Sequence, residues 1–174
     1  SKAVLAAFRI PIAQTVVARS ASEAMVLAEE LGLPVVMKID SPQIVHKSDS
    51  GGVRLNLNSL AAVRDAWLEI NEDVRKNRPD AVINGIAIEP MIQKPNGREL
   101  MVGMLRDKVF GPTVVFGPGG AGVEAQTSDR AVALPPLNSV LVADMLASTR
   151  TTTRLGEFRN MPPVDMAAIE TVLL

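Results

Sequence analysis

"PVVMKIDSPQIVHKSDSGGVRLNLN", residues 34–58, decides how this chain folds and where its chemistry is to be sought. It opens with a short apolar run, "VVMKI", interrupted by one lysine, Lys38. It closes with "GVRLNLN", where apolar and polar residues alternate as on a half-buried strand. Between these two strands lies a polar loop with His46, the one histidine of the chain, followed by Lys47, Ser48, Asp49, Ser50, Gly51 and Gly52. An imidazole placed there has a cation, a carboxylate and two hydroxyls as sequence neighbours. Such a setting suits a nucleophile or a phosphate handler, and it equally suits an idle surface histidine.

Working outward, Ser20 with Glu23 forms a capping box that opens the helix "SASEAMVLAEELG", and Gly32 stands where a helix stops. Ala24, Leu27, Ala28 and Leu31 share one face of it. Before it, residues 1–9 read as a turn or two of helix and "IPIAQTVVA" as extended chain. Beyond the quoted stretch, Ser59 caps "LAAVRDAWLEINEDVRKN", in which Leu60, Val63, Trp67, Ile70 and Val74 recur at three and four. That spacing makes Trp67 a core residue, not a ligand platform. After Pro79 come three strand-like runs, with "KPNG" between the first two as a hairpin signal. "FGPGGAGVE", residues 116–124, reads as a tight hairpin turn before a short strand. Asn138 and Asp165 cap two closing helices. The order predicts an α+β (α/β) protein of two lobes, residues 1–88 and 89–174, joined near Glu89–Pro90, with no internal repeat.

Composition narrows the function. With 174 residues and 47% hydrophobic side chains, the chain can bury the core of one or two small domains. A net charge of −1 provides no basic field for nucleic acid, and aromatics at 3% provide no stacking platform. No apolar run reaches the roughly 20 residues of a membrane span, and the opening residues do not read as a charged region followed by an apolar one. Cysteine is absent, which excludes disulfides, thiolate catalysis and the usual structural zinc sites. A hard-cation site made from Asp and Glu stays open. The expectation is a cytoplasmic protein.

Several side chains carry candidate chemistry. Lys38 ends an apolar strand; its ammonium is either a snorkelling charge or a point charge for a polyphosphate. Glu89, in "AIEPM", and Glu99, in "RELMV", are solvated strand residues or, with Lys38, a bracket around a nucleotide. The glycines of "FGPGGAGVE" can turn backbone amides toward an anion. The run lacks both the Gly-Lys-Ser/Thr ending of a Walker loop and a G-x-G-x-x-G register. Asp49 can orient the His46 ring, and Lys47 can offset phosphate charge.

The strings "FRIPIAQTVVARSASEAMVLAEELGLPVVMKIDSPQIVHKSDSGGVRLNL" and "FGPTVVFGPGGAGVE" are specific. Through them, from about residue 4 to the end, the chain resembles the ATP-grasp domain of NDP-forming acyl-CoA synthetases. ADP-forming acetyl-CoA synthetase and, more distantly, the β subunit of succinyl-CoA synthetase are the relatives in view. The resemblance implies an ATP-grasp fold, ATP or ADP with Mg²⁺, and phosphoryl transfer from a partner-domain histidine to the nucleotide through a swinging loop. His46 matches the loop histidine, Lys38 the phosphate-binding lysine, and Glu89 with Met91 the hinge that contacts adenine. Glu99 matches a carboxylate one strand later. Gly119, Gly120 and Glu124 match a turn near the phosphates, and Gly51 and Gly52 a hinge for the loop. The implied partners are CoA-binding and CoA-ligase domains of the same parent protein, and acyl-CoA.

Two departures shape the expectation. "DRAVALPPLN" is most like the version fused to a GNAT acetyltransferase, where the domain senses acyl-CoA without catalysing. That is the alternative function, and a pure assembly module is a third. The sequence also stops at "DMAAIETVLL", before the segment that supplies Mg²⁺ ligands in relatives. A C-terminally truncated fold is therefore expected, with metal ligands beyond Leu174, impaired Mg-ATP chemistry and an exposed edge open to homodimerisation or strand exchange.

Overall fold

The computed structural model describes residues 2–120, 128–157 and 160–174. It divides into two units, Ser1–Gln93 and Lys94–Leu174, so Glu89 and Met91 fall within the first. The first unit contains α1 (Lys2–Ala7), β1 (Val16–Ala18), α2 (Ala21–Leu31), β2 (Val35–Asp40), β3 (Val53–Leu57), α3 (Leu60–Asn77) and β4 (Gly85–Pro90). Its four strands form one antiparallel sheet in the order β1-β4-β2-β3.

The helices start where their caps say. Ser20 Oγ accepts from Glu23 N–H at 3.1 Å, and Ser59 Oγ accepts from Ala62 N–H at 3.2 Å. The Glu23 carboxylate turns back to the Arg19 N–H at 2.7 Å, one residue ahead of the cap itself. On α3, Val63, Ile70 and Val74 are fully buried. Each such side chain stabilises by about 1.5–3 kcal/mol, which outweighs the indifferent helix propensity of these three β-branched residues. Ala66 takes the central buried position, while Trp67 packs half-buried against the same core.

Strand alternation then sorts the sheet into two faces. Val35, Met37 and Ile39 of β2, with Ile86 and Ile88 of β4, enter the core with α2 and α3. Val36 and Lys38, with Ala87 and Glu89, take the opposite face, because Lys38 pairs with Ala87 and Val36 with Glu89. In β3 the regular alternation fails. Its register against β2 slips between Leu57 and Arg54, around Asn56 with its φ of +55°. A one-residue bulge reverses the phase. Leu57 is buried, Leu55 is left 56% exposed, and Val53 sits opposite Lys38.

The second unit contains β5 (Leu100–Asp107), β6 (Gly111–Pro118), β7 (Ala131–Ala133), α4 (Ser139–Ala147), a short 3-10 stretch (Arg150–Arg154) and α5 (Met166–Leu173). Its sheet runs β5-β6-β7, all antiparallel. Phe116, Val114, Val142, Leu146, Leu155 and Leu173 build its own core. Asn138 and Asp165 cap α4 and α5 as expected, accepting from Leu141 N–H at 3.0 Å and Ala168 N–H at 3.1 Å.

One reading is corrected. "KPNG" does make a turn, with Gly97 N–H donating to Lys94 C=O at 2.8 Å. The strands on either side nevertheless belong to different sheets, so it joins units and is not a hairpin turn. The turn read in "FGPGGAGVE" lies partly outside the described residues, which break off at Gly120 and resume at Ser128.

Candidate functional site

Sheet order decides which polar residues meet in the first unit. Inserting β4 between β1 and β2 sets Lys38 diagonally across from Glu89, within reach of long side chains. Lys38 Nζ donates to Glu89 Oε2 at 2.8 Å. On the other carboxylate oxygen, Glu89 Oε1, Lys2 Nζ donates at 2.7 Å and Thr15 Oγ1 at 2.9 Å. Lys2 Nζ also donates to Ala13 C=O at 3.2 Å. The Glu89 side chain is 13% exposed, whereas Lys38 and Lys2 are 36% and 42% exposed.

Burial alone raises the pKa of a carboxyl. Here the hydrogen bonds from Lys2, Lys38 and Thr15 outweigh it and hold Glu89 at about 2, well below the usual glutamate value. A transverse row of Val17, Ala87, Lys38 and Val53 crosses the same outer face. Val17 is 41% exposed there, and Leu55 extends the apolar surface. The result is two ammoniums around one carboxylate, next to exposed aliphatic side chains: a place for an anionic ligand with an apolar part. The N–H of Met91 is already committed to Pro34 C=O at 2.9 Å, which extends the β2–β4 ladder by one step.

His46 lies elsewhere in the unit, on the loop that leaves β2 and returns as β3. It is exposed, and it lines a cavity of about 360 Å³ with Gln43, Asp49, Ser50, Asn77 and Arg78. The loop is built from successive turns. Ser50 Oγ donates to Lys47 C=O at 2.9 Å, Gly51 N–H to Ser48 C=O at 3.0 Å and Gly52 N–H to Lys47 C=O at 2.8 Å. The end of α3 holds it from outside, with Asn77 Nδ2 donating to Ser50 C=O at 3.2 Å. Asp49 and His46 share the cavity wall, and Lys47 is half-buried. The two glycines differ. Gly51 has φ +73°, a conformation L side chains rarely adopt, while Gly52 is wedged where a Cβ would stand 2.5 Å from Ile39 Cγ2.

In the second unit, Glu99 and the Gly119–Gly120 pair come together. Gly119 N–H donates to Glu99 C=O at 2.8 Å, so that amide is taken up by the backbone. A side chain at Gly120, whose φ is +85°, would overlap the Glu99 carboxylate. These glycines are needed for close approach to the start of β5. Glu124 lies outside the described residues. Among the described residues no three His, Asp or Glu side chains gather as a metal site.

Sequence reasoning missed Lys2, Thr15, Asn77 and Arg78. Lys2 is 87 residues from Glu89, and nothing in "SKAVLAAFR" beyond its helical look marks it. Asn77 and Arg78 end a helix, where a polar residue calls for no explanation.

An ATP-grasp domain model matches residues 1–174, and the chain belongs to the ATP-grasp family. Within it the chain belongs with the β subunits of ADP-forming acetate–CoA ligases. It is 38% identical to the β subunit of acetate–CoA ligase I of Pyrococcus furiosus, over all of this chain and 74% of that one. It is 40% identical to the ligase II β subunit of the same organism, covering 72% of it. Among solved structures, acetyl-coenzyme A synthetase 1 of Ca. Korarchaeum cryptofilum in complex with coenzyme A and Ca-AMPCP matches with a TM-score of 0.90. The identity is 41%, over 99% of this chain and 74% of that one. A further structure of that enzyme, with coenzyme A and Mg-AMPPCP, has its phosphohistidine segment pointing towards the nucleotide binding site; the TM-score is 0.80 and the identity 37%, over 99% of this chain and 72% of that one. These relatives are ligases by name, and nothing in them supports the acetyltransferase-fused sensor alternative. Among the described residues no helix is long and apolar enough to cross a membrane.

Proposed function

We propose that this ATP-grasp domain carries phosphoryl groups between a partner-domain phosphohistidine and ADP or ATP in an acyl-CoA synthetase, with His46 as the carrier. One observation supports this most directly: Lys38 and Lys2 converge on Glu89 at the exposed face of the first sheet. A nucleotide polyphosphate is a ligand of matching charge, and Val17 and Leu55 offer apolar surface for its nucleoside. Glu89 keeps the two ammoniums close together when no phosphate is bound.

In the direction of ATP synthesis, a ring nitrogen of His46 attacks the phosphorus of the partner's phosphohistidine, and the partner nitrogen leaves with its electron pair. In the second transfer a terminal oxygen of ADP attacks phosphorus, the phosphorus–nitrogen bond breaks, and His46 regains its lone pair. Lys38 offsets the charge that gathers on the phosphate oxygens. Mg²⁺, when bound, would supply charge neutralisation on the polyphosphate. The partners in this reading are the CoA-binding and CoA-ligase domains of the same enzyme, its acyl group reaches it as acyl-CoA, and the setting is the cytoplasm.

The reading is tested by titrating ATP calorimetrically into the chain and its Lys38→Met variant, then incubating each with radiolabelled ATP. Saturable binding that the variant weakens, with acid-labile and base-stable label on the wild type, is the expected result. Equal binding by both proteins would overturn the assignment of Lys38.

A further inference from the structure

The loop that holds His46 carries two branched aliphatic side chains, Ile44 and Val45, and these are treated oppositely by the fold. Val45 is 79% exposed, while Ile44 is 2% exposed and belongs to the first unit's core. The residue beside Ile44 is fastened as well. Gln43 C=O accepts from Arg78 Nη1 at 3.3 Å, and Gln43 Oε1 accepts from Val82 N–H at 3.1 Å. At the far end Ser50 is 6% exposed and Gly52 is closed in by Ile39. Only residues 45–49 lie between these fixed points, and His46 is among them.

Chain geometry limits what such a loop can do. A residue advances the chain by at most about 3.6 Å, so His46 stays within about 7 Å of Ile44, Cα to Cα, while Ile44 is seated. With Ile44 and the contacts of Gln43 beside it withdrawn, the nearest point still fastened is Ser50, four residues from His46. The reach then grows to about 14 Å. Whether His46 serves one place or two is thus decided by a side chain with no chemistry of its own.

We infer that Ile44 is the positioning residue of His46: it pins the resting loop to the core, and its withdrawal as a local event, without unfolding of the unit, begins each long excursion of the imidazole. The motive for an excursion rests on the proposed function. The detachment itself does not, and it can be measured without any phosphoryl transfer.

Because the chain has no cysteine, a single introduced thiol reports its own exposure. Three variants are alkylated separately under native conditions: Ile44→Cys, Val45→Cys and Ile70→Cys. The Val45→Cys thiol reacts at the rate of an open chain. The Ile70→Cys thiol, at a fully buried position, reacts only through global opening. The expected result is an Ile44→Cys rate at least tenfold above that of Ile70→Cys and at least tenfold below that of Val45→Cys. A rate equal to either reference overturns the inference, since Ile44 is then either never released locally or never held. Amide hydrogen exchange of the unaltered chain repeats the test without substitution. The Gly51 and Gly52 N–H groups should exchange at least tenfold faster than that of Ile70, and equal protection overturns the inference.

A second readout ties Ile44 to His46. The chain has one imidazole, hence one set of ring signals in a nuclear magnetic resonance spectrum. Ile44→Ala should increase ring mobility and Ile44→Leu should restore it. Identical ring relaxation in all three proteins would show that Ile44 stabilises the core without positioning the histidine.

Discussion

The two places where chemistry gathers in the first unit are built in opposite ways. The Lys38–Glu89 cluster is assembled from residues 51 to 87 positions apart in sequence, held on neighbouring strands and by α1. The His46 loop is made by turns closing over three to five residues, and only its ends are fastened to the rest of the unit. A group that must stay put is built on a sheet, where moving it means breaking a ladder. A group that travels is built on a loop, where moving it breaks a few turn hydrogen bonds and one apolar seat.

The largest expected effect belongs to His46, the proposed carrier. His46→Ala should abolish acid-labile phosphorylation altogether, because the chain has no second histidine to take over. Folding should be nearly untouched, since exposed substitutions change stability by about 0.5 kcal/mol or less. Radiolabelled ATP and a thermal melt check the two halves. Persisting acid-labile label would break the contrast between carrier and cradle. The fixed group should respond by degree. Lys38→Met should weaken ATP binding by about tenfold to a hundredfold, or about 1.4–2.7 kcal/mol, as read by calorimetry.

Third comes Glu89, whose effect shows in pH. Its folded pKa of about 2 lies below the ordinary value, so the charged form is the one the fold stabilises. That contribution is present in full above about pH 5 and is lost as the pH falls toward about 2. Its size is about 2 kcal/mol, taking into account that both lysines face solvent. Urea unfolding at pH 7 and pH 3 should show this loss in the wild type, and Glu89→Gln should flatten it.

Gly52→Ala sharpens the comparison at the root of the loop. A free hinge would tolerate alanine with little change in stability. At Gly52 a Cβ would sit 2.5 Å from Ile39 Cγ2 and 2.9 Å from Lys47 C=O. Overpacking of that kind costs about 1–3 kcal/mol, and the expected loss lies in the lower half of that range. Unchanged stability in a chemical melt would mean that the root is as loose as the tip.

The same division between local and distant construction explains what was legible in the sequence. Ser20, Ser59, Asn138 and Asp165 each start a helix where expected, because a cap depends on residues three apart. The family likeness rests on continuous strings, which a sequence shows directly, and it carried the fold and the ligase class. Sheet order does not show itself that way. "KPNG" has the chemistry of a hairpin turn, yet β4 pairs with β1 and β2 instead of β5. Leu55 alternates correctly on paper, and the bulge at Asn56 sends it outward. Lys38 and Glu89 were marked by being charges in apolar strands, whereas Lys2 and Thr15 carried no such mark.

Thr15 gives the smallest and most discriminating test. Of the three donors on Glu89 it is the one without charge, at 2.9 Å from Oε1. Replacing it by valine keeps the shape and removes the hydroxyl's hydrogen bond to Glu89, worth about 0.5–1.5 kcal/mol, together with the one that Lys2 Nζ donates to Thr15 Oγ1. The Glu89 pKa should rise part of the way toward its ordinary value, and stability should begin to fall at a higher pH than in the wild type. Because Lys2 and Lys38 remain, ATP binding at pH 7 should change by less than about threefold, under 1 kcal/mol. Glu89 titrated by carbon-13 carboxyl resonance, alongside calorimetry, separates the two quantities. A raised pKa with binding intact would show that the cluster's rigidity and its affinity for phosphate come from different members. Loss of binding in step with the pKa would mean that the sheet-built site acts as one unit, and that even its neutral hydroxyl is part of the cradle.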